Sequence, residues 1–201
     1  ITVAPGVSIP GVAGISINYG SVSLVAGDAT SSINLTAPTI TLAANSNSTL
    51  NVPITGSAGM TLNLGTLSTM TLAASSSFTG SVLIQSSATT TSTSYTVNGR
   101  VVASNNNSFG DSSNTISFDP RQNVLVSGNN KPAYGLGIDL TGNVNIANPL
   151  NLNGGDNVVG GIGELNNLSG TNTWSGVINL VGSGAGAGSN SNNSLIADIP
   201  L

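Results

Sequence analysis

The sequence contains no cysteine and no histidine, and only three of its 201 residues are basic. These absences remove the thiol nucleophile, the disulfide, the imidazole base and the usual ligands of transition metals. Nucleic-acid binding needs clustered cations, which a chain with a formal net charge of −4 does not offer. No apolar run approaches the roughly 20 residues of a membrane-spanning helix. The composition therefore argues against thiol enzymes, zinc proteins, nucleic-acid-binding proteins and helical membrane proteins.

Charged residues make up only 5 % of the chain and aromatic residues 3 %, although hydrophobic residues make up 38 %. Disorder usually goes with low hydrophobicity and high charge, so this composition favours ordered structure wetted by Ser, Thr and Asn. No charged residue occurs between Ala29 and Gly99. Two interpretations of this half stay open, a rod wetted by hydroxyl and amide groups, and a surface covered by neighbouring subunits or by glycan.

Short segments of alternating apolar and polar residues recur roughly every 8 to 12 residues in the first half, with Gly, Ser, Asn or Pro between them. Alternation with a period of two is typical of a half-buried β-strand. The predicted strands are at 15–19, 21–25, 33–35, 40–42, 50–52, 60–64, 70–72 and 82–84.

Regular short strands are found in β-sandwiches and barrels as well as in solenoids. Asn-Gly hairpin turns are scarce between these segments, and loose coils of roughly 16 to 29 residues are in the range of solenoid repeats. The coils start near Gly14, Thr30, Ser48, Leu67, Thr91, Asn114, Asn143 and Thr171. We therefore predict an all-β fold, a right-handed parallel β-helix (β-solenoid). The alternative is an antiparallel β-sandwich in the first half followed by solenoid coils.

The chain divides into two predicted parts. Pro5 and Pro10 remove backbone donors, so residues 1–14 are predicted to form an extended N-terminal arm, an edge or a cap. Residues 15–201 are predicted to form the β-solenoid domain. Within it, the low-complexity run 182–194 is predicted to be a surface loop.

Residues 163–180 read GELNNLSGTNTWSGVINL and include Trp174, the only tryptophan. The segment resembles the autotransporter-associated β-strand repeat of secreted bacterial surface proteins, and the family-like repeat spans 143–180. The positions that carry the resemblance are Gly163, Leu165, Asn167, Gly170, Asn172, Trp174, Gly176, Ile178 and Leu180. The resemblance implies a parallel β-helix on an extracellular or cell-surface protein. It implies no catalytic residues, because the repeat is architectural.

The seven acidic residues are scattered along the chain. Asp156 and Glu164 are eight positions apart in a glycine-rich segment, and residues one coil apart, for example Asp119 and Asp139, could still meet in space. Polysaccharide-cleaving β-helices need several clustered acids, so these residues are expected to be turn or exposed carboxylates. We predict that the chain is not an enzyme.

Ligand sites are equally weakly indicated. The turn 153–156, Asn-Gly-Gly-Asp, is similar to calcium-binding glycine-rich repeats, but the nine-residue pattern does not recur. No cofactor is therefore predicted, with calcium at this turn as the alternative. Trp174 and Tyr134 are candidate sugar-stacking residues, although for Trp174 packing at a coil corner is favoured. Glycosylation sequons occur at Asn34, Asn47, Asn106, Asn167 and Asn192.

These observations predict an extracellular structural protein, a subunit of a self-assembling surface fibre or coat. Its copies would join through terminal strands, for which the apolar segments 1–12 and 195–201 are the candidates. The alternative is a passenger-like adhesin or stalk module, of a carbohydrate-binding kind, within a larger cell-surface protein. Neither nucleic acid nor a membrane is an expected partner.

Overall fold

The computed structural model of the protein describes residues 1–17, 22–42, 46–65, 67–86, 96–97, 99–119, 133–134, 136–152 and 165–180. Several sequence predictions lie outside these residues. They concern Gly163, the carboxylates Asp156 and Glu164, the turn 153–156, the run 182–194 and the apolar segment 195–201 predicted to pair with another copy.

The described residues form nineteen β-strands and no helix. The strands are β1 (Thr2–Val3), β2 (Ser8–Ile17), β3 (Ser23–Ala26), β4 (Ser32–Leu42), β5 (Asn47–Asn51), β6 (Ile54–Thr55), β7 (Met60–Leu64), β8 (Thr69–Leu72), β9 (Val82–Ser86), β10 (Thr96–Val97), β11 (Arg100–Ala103), β12 (Ile116–Phe118), β13 (Ala133–Tyr134), β14 (Gly137–Thr141), β15 (Asn145–Ile146), β16 (Leu150–Leu152), β17 (Leu165–Ser169), β18 (Thr173–Trp174) and β19 (Ile178–Leu180).

Every pairing between these strands is parallel. A seven-stranded sheet has the order β1-β3-β5-β8-β11-β14-β17. The path β2-β4-β7-β9-β12-β16-β19, with β6 beside β4, forms an eight-stranded sheet. The chain visits these two sheets in turn, and between visits it forms two further sheets of two strands each, β10-β13 and β15-β18. Each time the chain returns to a sheet, the new strand pairs with the strand of the previous visit. The strands formed in one visit to each sheet are called a level here, and the successive levels form the stack.

Apolar residues of both sheets form one buried core. Alternation places every second residue inward, so β7 has buried Met60, Leu62 and Leu64 separated by half-buried Thr61 and Asn63. The parallel register then aligns inward residues of neighbouring strands in rows. In the eight-stranded sheet one such row pairs Ile15 with Ile40, Ile40 with Leu62, Leu62 with Ile84, Ile84 with Phe118, and Leu152 with Leu180.

Burial of these rows decreases at both ends of the stack. Ile40, Leu62 and Ile84 are fully buried, whereas Ile15 and Ile178 are only partly buried against the core. The other partly buried members of the core lie near the two ends of the stack: Val22, Leu24 and Ala26 in or next to β3, the second strand of its sheet, and Leu165 and Trp174 in the last level. Among the described strands, none pairs with the outer edges of β1, β2, β17 and β19. The two ends of the stack are therefore open in the part of the chain that is described.

The predicted all-β class is confirmed, with parallel strands in sheets. The antiparallel sandwich proposed for the first half is wrong for the described residues, because β2, β3, β4, β5 and β7 pair in parallel. The structure shows no closed solenoid, since long connections between strands lie outside the described residues. The predicted strands at 60–64 and 70–72 coincide with β7 and most of β8.

The predicted coil lengths are wrong in the middle of the chain. Ile40 pairs with Leu62, 22 positions later, whereas Val101 pairs with Ile138, 37 positions later. The physical reason is that polar connections carry no apolar period, so the sequence pattern does not reveal how many residues each connection contains. The described sheets contain seven successive levels, and because residues 181–201 lie outside the described residues, the predicted total of eight coils stays a prediction.

Residues 1–14 were predicted to form an arm, an edge or a cap. In the structure β1 and most of β2 come from this segment, and each is the edge strand of its sheet. Pro10 lies within β2, at a position where the ladder with β4 is irregular between Ile9 and Val12. An edge strand accommodates proline, because one side of the strand needs no ladder donor.

Candidate functional site

The family-like segment forms the last described level of the stack. Leu165 and Asn167 lie in β17, Trp174 in β18, and Ile178 and Leu180 in β19. Gly170 and Asn172 lie in the turn between β17 and β18, and Gly176 lies just before β19. The structure thus brings all the predicted positions except Gly163, which it does not describe, into one layer that ends both sheets.

Two asparagines hold the turn between β17 and β18. The Asn172 Nδ2 donates to Asn167 Oδ1 over 2.6 Å and to the Ser169 carbonyl over 2.8 Å. The Asn167 Nδ2 donates to the Gly170 carbonyl over 3.1 Å. The Asn172 Oδ1 accepts the Val144 N–H of the level before, over 2.8 Å. The asparagines therefore close the turn and also attach it to the preceding level.

The two glycines of the same level lie against the level before. Gly170 has φ +83°, and a Cβ there would lie 2.8 Å from the Asn143 Oδ1, which accepts the Thr171 N–H. At Gly176 a Cβ would collide with the Asn148 carbonyl oxygen. The resemblance gave these positions as glycine, and the structure supplies a reason for each. At Gly176 the backbone of the preceding level lies too close for a side chain, and at Gly170 the positive φ and the nearby Asn143 side chain disfavour one.

Trp174 lies between these turns and is half-buried. Its Nε1 donates to the Asn148 carbonyl over 2.9 Å, and its ring centroid lies 6.2 Å from that of Phe109 at an angle of 44°. This tilted arrangement is within the range of favourable aromatic pairs. The indole therefore contributes to packing at the corner of the last level.

Two further asparagines, Asn114 and Asn148, form buried corners in the preceding levels and were not identified from the sequence. Asn114 is 2 % exposed, and Asn148 is 1 % exposed. The Asn114 side chain accepts the Gly80 N–H and donates to the carbonyls of Phe78 and Phe109. They occupy successive levels, since the Asn148 Nδ2 donates to the Asn114 carbonyl over 3.2 Å. No sequence signal distinguished them, because the chain is rich in asparagine and the two are 34 positions apart.

One ion pair joins the strands of the seven-stranded sheet. The Arg100 guanidinium donates from Nη2 to Asp139 Oδ1 over 2.5 Å and from Nε to Oδ2 over 3.1 Å, with 13 % and 10 % of the two side chains exposed. Asn166 of β17 donates to the same carboxylate over 3.1 Å. Two-point contact of this kind fixes the relative position of β11 and β14. The Asp139 carboxylate therefore has a pairing role here.

The arrangement of acids does not reproduce the convergence considered from the sequence. Asp139 lies in the seven-stranded sheet, whereas Asp119 follows β12 of the eight-stranded sheet. Within the described ranges, no group of three or more metal-ligating side chains could hold a metal ion. A search of the same residues for a helix that is long and apolar enough to cross a membrane found none.

Two exposed turns contain carboxylates whose pKa is held below the ordinary value. The Thr30 hydroxyl is the main cause for Asp28, and the Ser113 hydroxyl is the main cause for Asp111. These hydroxyls donate over 2.8 Å and 2.7 Å respectively, and backbone N–H groups add to them. Because donors favour the ionised carboxylate, folding and deprotonation support each other at both turns.

We expect these turns to make the protein acid-sensitive. A carboxyl whose pKa is depressed on folding contributes stability above its unfolded pKa of about 3.9, and that stability is lost as pH falls through the folded pKa. The double variant Asp28→Asn, Asp111→Asn lacks this contribution. Its melting temperature should therefore be lower than that of the unchanged protein near neutral pH, and the difference should shrink below about pH 4. Thermal melts over this range test it, and a difference independent of pH would contradict it.

Comparisons with protein-family models, with curated proteins and with solved structures found no match to this chain. The resemblance of residues 163–180 to the autotransporter-associated repeat therefore stays a prediction.

Proposed function

We propose that this chain is an extracellular structural protein, a subunit that assembles end to end into a surface fibre or coat. In this proposal the chain winds as a right-handed parallel β-helix and has no enzymatic activity or cofactor. The observation that carries the proposal is that both ends of the parallel stack are open among the described strands. Sheet edges of this kind offer unpaired backbone groups to another chain.

The side chains at the two ends support the same conclusion. Exposed large apolar residues concentrate there, with Ile1, Val7 and Ile9 in the first level and Leu168 and Val177 in the last. The segments 1–17 and 165–180 contain no Asp, Glu, Lys or Arg. An end-to-end contact would therefore remove apolar surface from water without bringing charges together. Because the two ends differ, such a contact is head to tail, and it generates a filament when the rotation between copies does not close a ring.

The adhesin or stalk module stays the second candidate, and the same open ends favour it. Further coils of a longer polypeptide could pair with the open edges of β17 and β19, just as a second copy could. The two candidates differ in what the isolated protein does, because a module completed by its own chain has no reason to polymerise.

Lysine at the last level should block assembly. Leu168 and Val177 are 58 % and 64 % exposed, so the double variant Leu168→Lys, Val177→Lys should fold with a stability within about 1 kcal/mol of the unchanged protein. Burying two ammonium groups in an apolar contact is unfavourable, so we expect the concentration needed for fibres to rise at least about tenfold. Negative-stain electron microscopy and sedimentation of a concentration series measure this.

Leu67→Lys is the matched control. Leu67 is an apolar residue with 53 % exposure in a turn between β7 and β8, away from both ends. This variant should assemble like the unchanged protein. If Leu67→Lys blocks fibres equally, the ends are not the contact. If the unchanged protein remains as isolated particles at every concentration, the fibre proposal fails and the module becomes the leading candidate.

A further inference from the structure

The two ends of the stack continue the same rows of residues. In the eight-stranded sheet a row that begins at Gly14 of β2 runs through Thr39 and Thr61 and ends at Asn179 of β19. In the seven-stranded sheet Thr2 of β1 pairs with Val25 and Val25 with Asn51, and at the other end Thr141 pairs with Ser169 of β17. Asn51 and Thr141 directly follow Leu50 and Leu140, which belong to one continuous row through Leu72 and Ala103. This register therefore places Thr2 and Ser169 at opposite ends of the adjacent row. Among the described strands, each row therefore has one end residue with no neighbouring strand beyond it at each end of the stack.

Polar side chains within these rows bond from level to level. The Asn179 Nδ2 donates to Asn151 Oδ1 over 2.9 Å, and the Asn151 Nδ2 donates to Ser117 Oγ over 3.0 Å. In the other sheet the Thr141 and Ser169 hydroxyls lie 2.6 Å apart. A level added beyond β17 and β19 would meet an amide in one sheet and a hydroxyl in the other.

The first level supplies suitable counterparts. When the first level of one copy follows the last level of another, Gly14 lies beside Asn179. Glycine has no side chain that would obstruct the Asn179 amide. In the same arrangement Thr2 lies beside Ser169, and the exposed Thr2 provides a hydroxyl like that of Ser169. Ile15, which is partly buried, begins the row that contains Leu180 at its other end. The first level therefore offers a glycine, a hydroxyl and an apolar residue at the positions that face Asn179, Ser169 and Leu180 of the last level.

We propose that the β17–β19 end docks in register on the β1–β2 end of a second copy of this chain, with Asn179 beside Gly14 and Ser169 beside Thr2. This register rests on the proposed function, since it specifies the contact that would propagate the fibre. The contact is head to tail and repeats the parallel pairing used between every pair of neighbouring levels. Two identical ends would instead have to pair antiparallel, a mode that the described strands do not use.

The absence of cysteine from the chain makes the register measurable, because introduced thiols have no native competitor. Neighbouring strands lie about 4.8 Å apart, which is within the Cα separation that a disulfide spans. A mixture of the full-length single variants Asn179→Cys and Gly14→Cys should therefore form a mixed disulfide under mild oxidation. Ser169→Cys with Thr2→Cys tests the other sheet independently. Non-reducing gels detect the dimer, and peptide mass spectrometry identifies the joined positions.

Ser8→Cys is the matched control for Gly14→Cys. It lies six residues away on the same exposed edge strand, so its thiol would be roughly 20 Å from position 179 in the proposed contact. We expect the 179–14 product to exceed the 179–8 product at least about tenfold. Equal amounts, or a predominance of 179–179 or 14–14 products, would overturn the register.

Electron microscopy of the same samples distinguishes a failure of the register from a failure of the proposed function. Fibres without the 179–14 and 169–2 products would overturn this register and leave the fibre intact. Absence of both fibres and products would overturn the register together with the proposed function. A thiol at position 179 that resists alkylation in isolated monomers would show that another part of the chain covers this end, which would also overturn the docking of a second copy.

Discussion

Replacing Asn114 with alanine is expected to lower the free energy of unfolding by about 3 kcal/mol. The Asn114 side chain is almost fully buried and bonds to three backbone groups, the Gly80 N–H over 2.7 Å and the carbonyls of Phe78 and Phe109 over 3.0 and 2.9 Å. Alanine would leave the Gly80 N–H and the Phe109 carbonyl without the amide, and the Phe78 carbonyl with only the Asp111 N–H. Unpaired buried polar groups are costly because they have lost water without gaining a replacement.

Asn107→Ala is the matched control, because Asn107 is an exposed asparagine of the same turn region. Its Nδ2 donates to Ser75 Oγ over 3.0 Å at the surface. We expect that change to cost less than about 1 kcal/mol, as is usual for exposed hydrogen bonds. Urea titrations followed by circular dichroism compare the two variants. Equal losses for Asn107→Ala and Asn114→Ala would contradict the assigned role of the buried amide.

Gly176→Ala is expected to disrupt the last level, with a cost of about 3 kcal/mol. The added methyl would collide with the backbone carbonyl of Asn148, which also accepts the Trp174 Nε1–H. Backbone atoms cannot turn aside as the end of a flexible side chain can. The collision can therefore be relieved only if strands β16 and β19 move apart. That movement also separates the Trp174 indole from its carbonyl acceptor.

The only tryptophan makes this loss observable at the place where it occurs. Indole fluorescence should report unfolding of the last level at lower urea concentration in Gly176→Ala, while circular dichroism reports the whole sheet. Ser175→Ala is the control, since Ser175 is the exposed neighbour and its Oγ makes only a long contact of 3.4 Å. An unchanged fluorescence transition in Gly176→Ala would contradict the close approach at this corner.

The strands were largely predictable because their information is local. Alternation at Met60, Leu62 and Leu64 requires only that every second side chain faces the core, and those three residues are buried. The same pattern did not predict that β2 begins at Ser8 and includes Pro10, because proline removes a donor whose cost depends on whether the strand is at an edge.

The candidate site was predictable only in part. The family-like segment located Asn167, Gly170, Asn172 and Gly176, but not what those residues contact. The partners lie in the preceding level, as Val144 does for Asn172 and Asn148 does for Gly176. Separations of about 28 positions leave no local signal, and they become contacts only once the register is known.

The unequal steps between paired strands have a consequence for how the molecule can vary. Twenty-two residues separate Ile40 from Leu62 and thirty-seven separate Val101 from Ile138, yet both pairs occupy equivalent places in parallel ladders. Pairing within the sheets therefore determines where the strands lie, while the connections can lengthen without moving a strand. Such a chain can diversify what it displays along its sides independently of what holds it together, so that recognition and architecture can evolve separately.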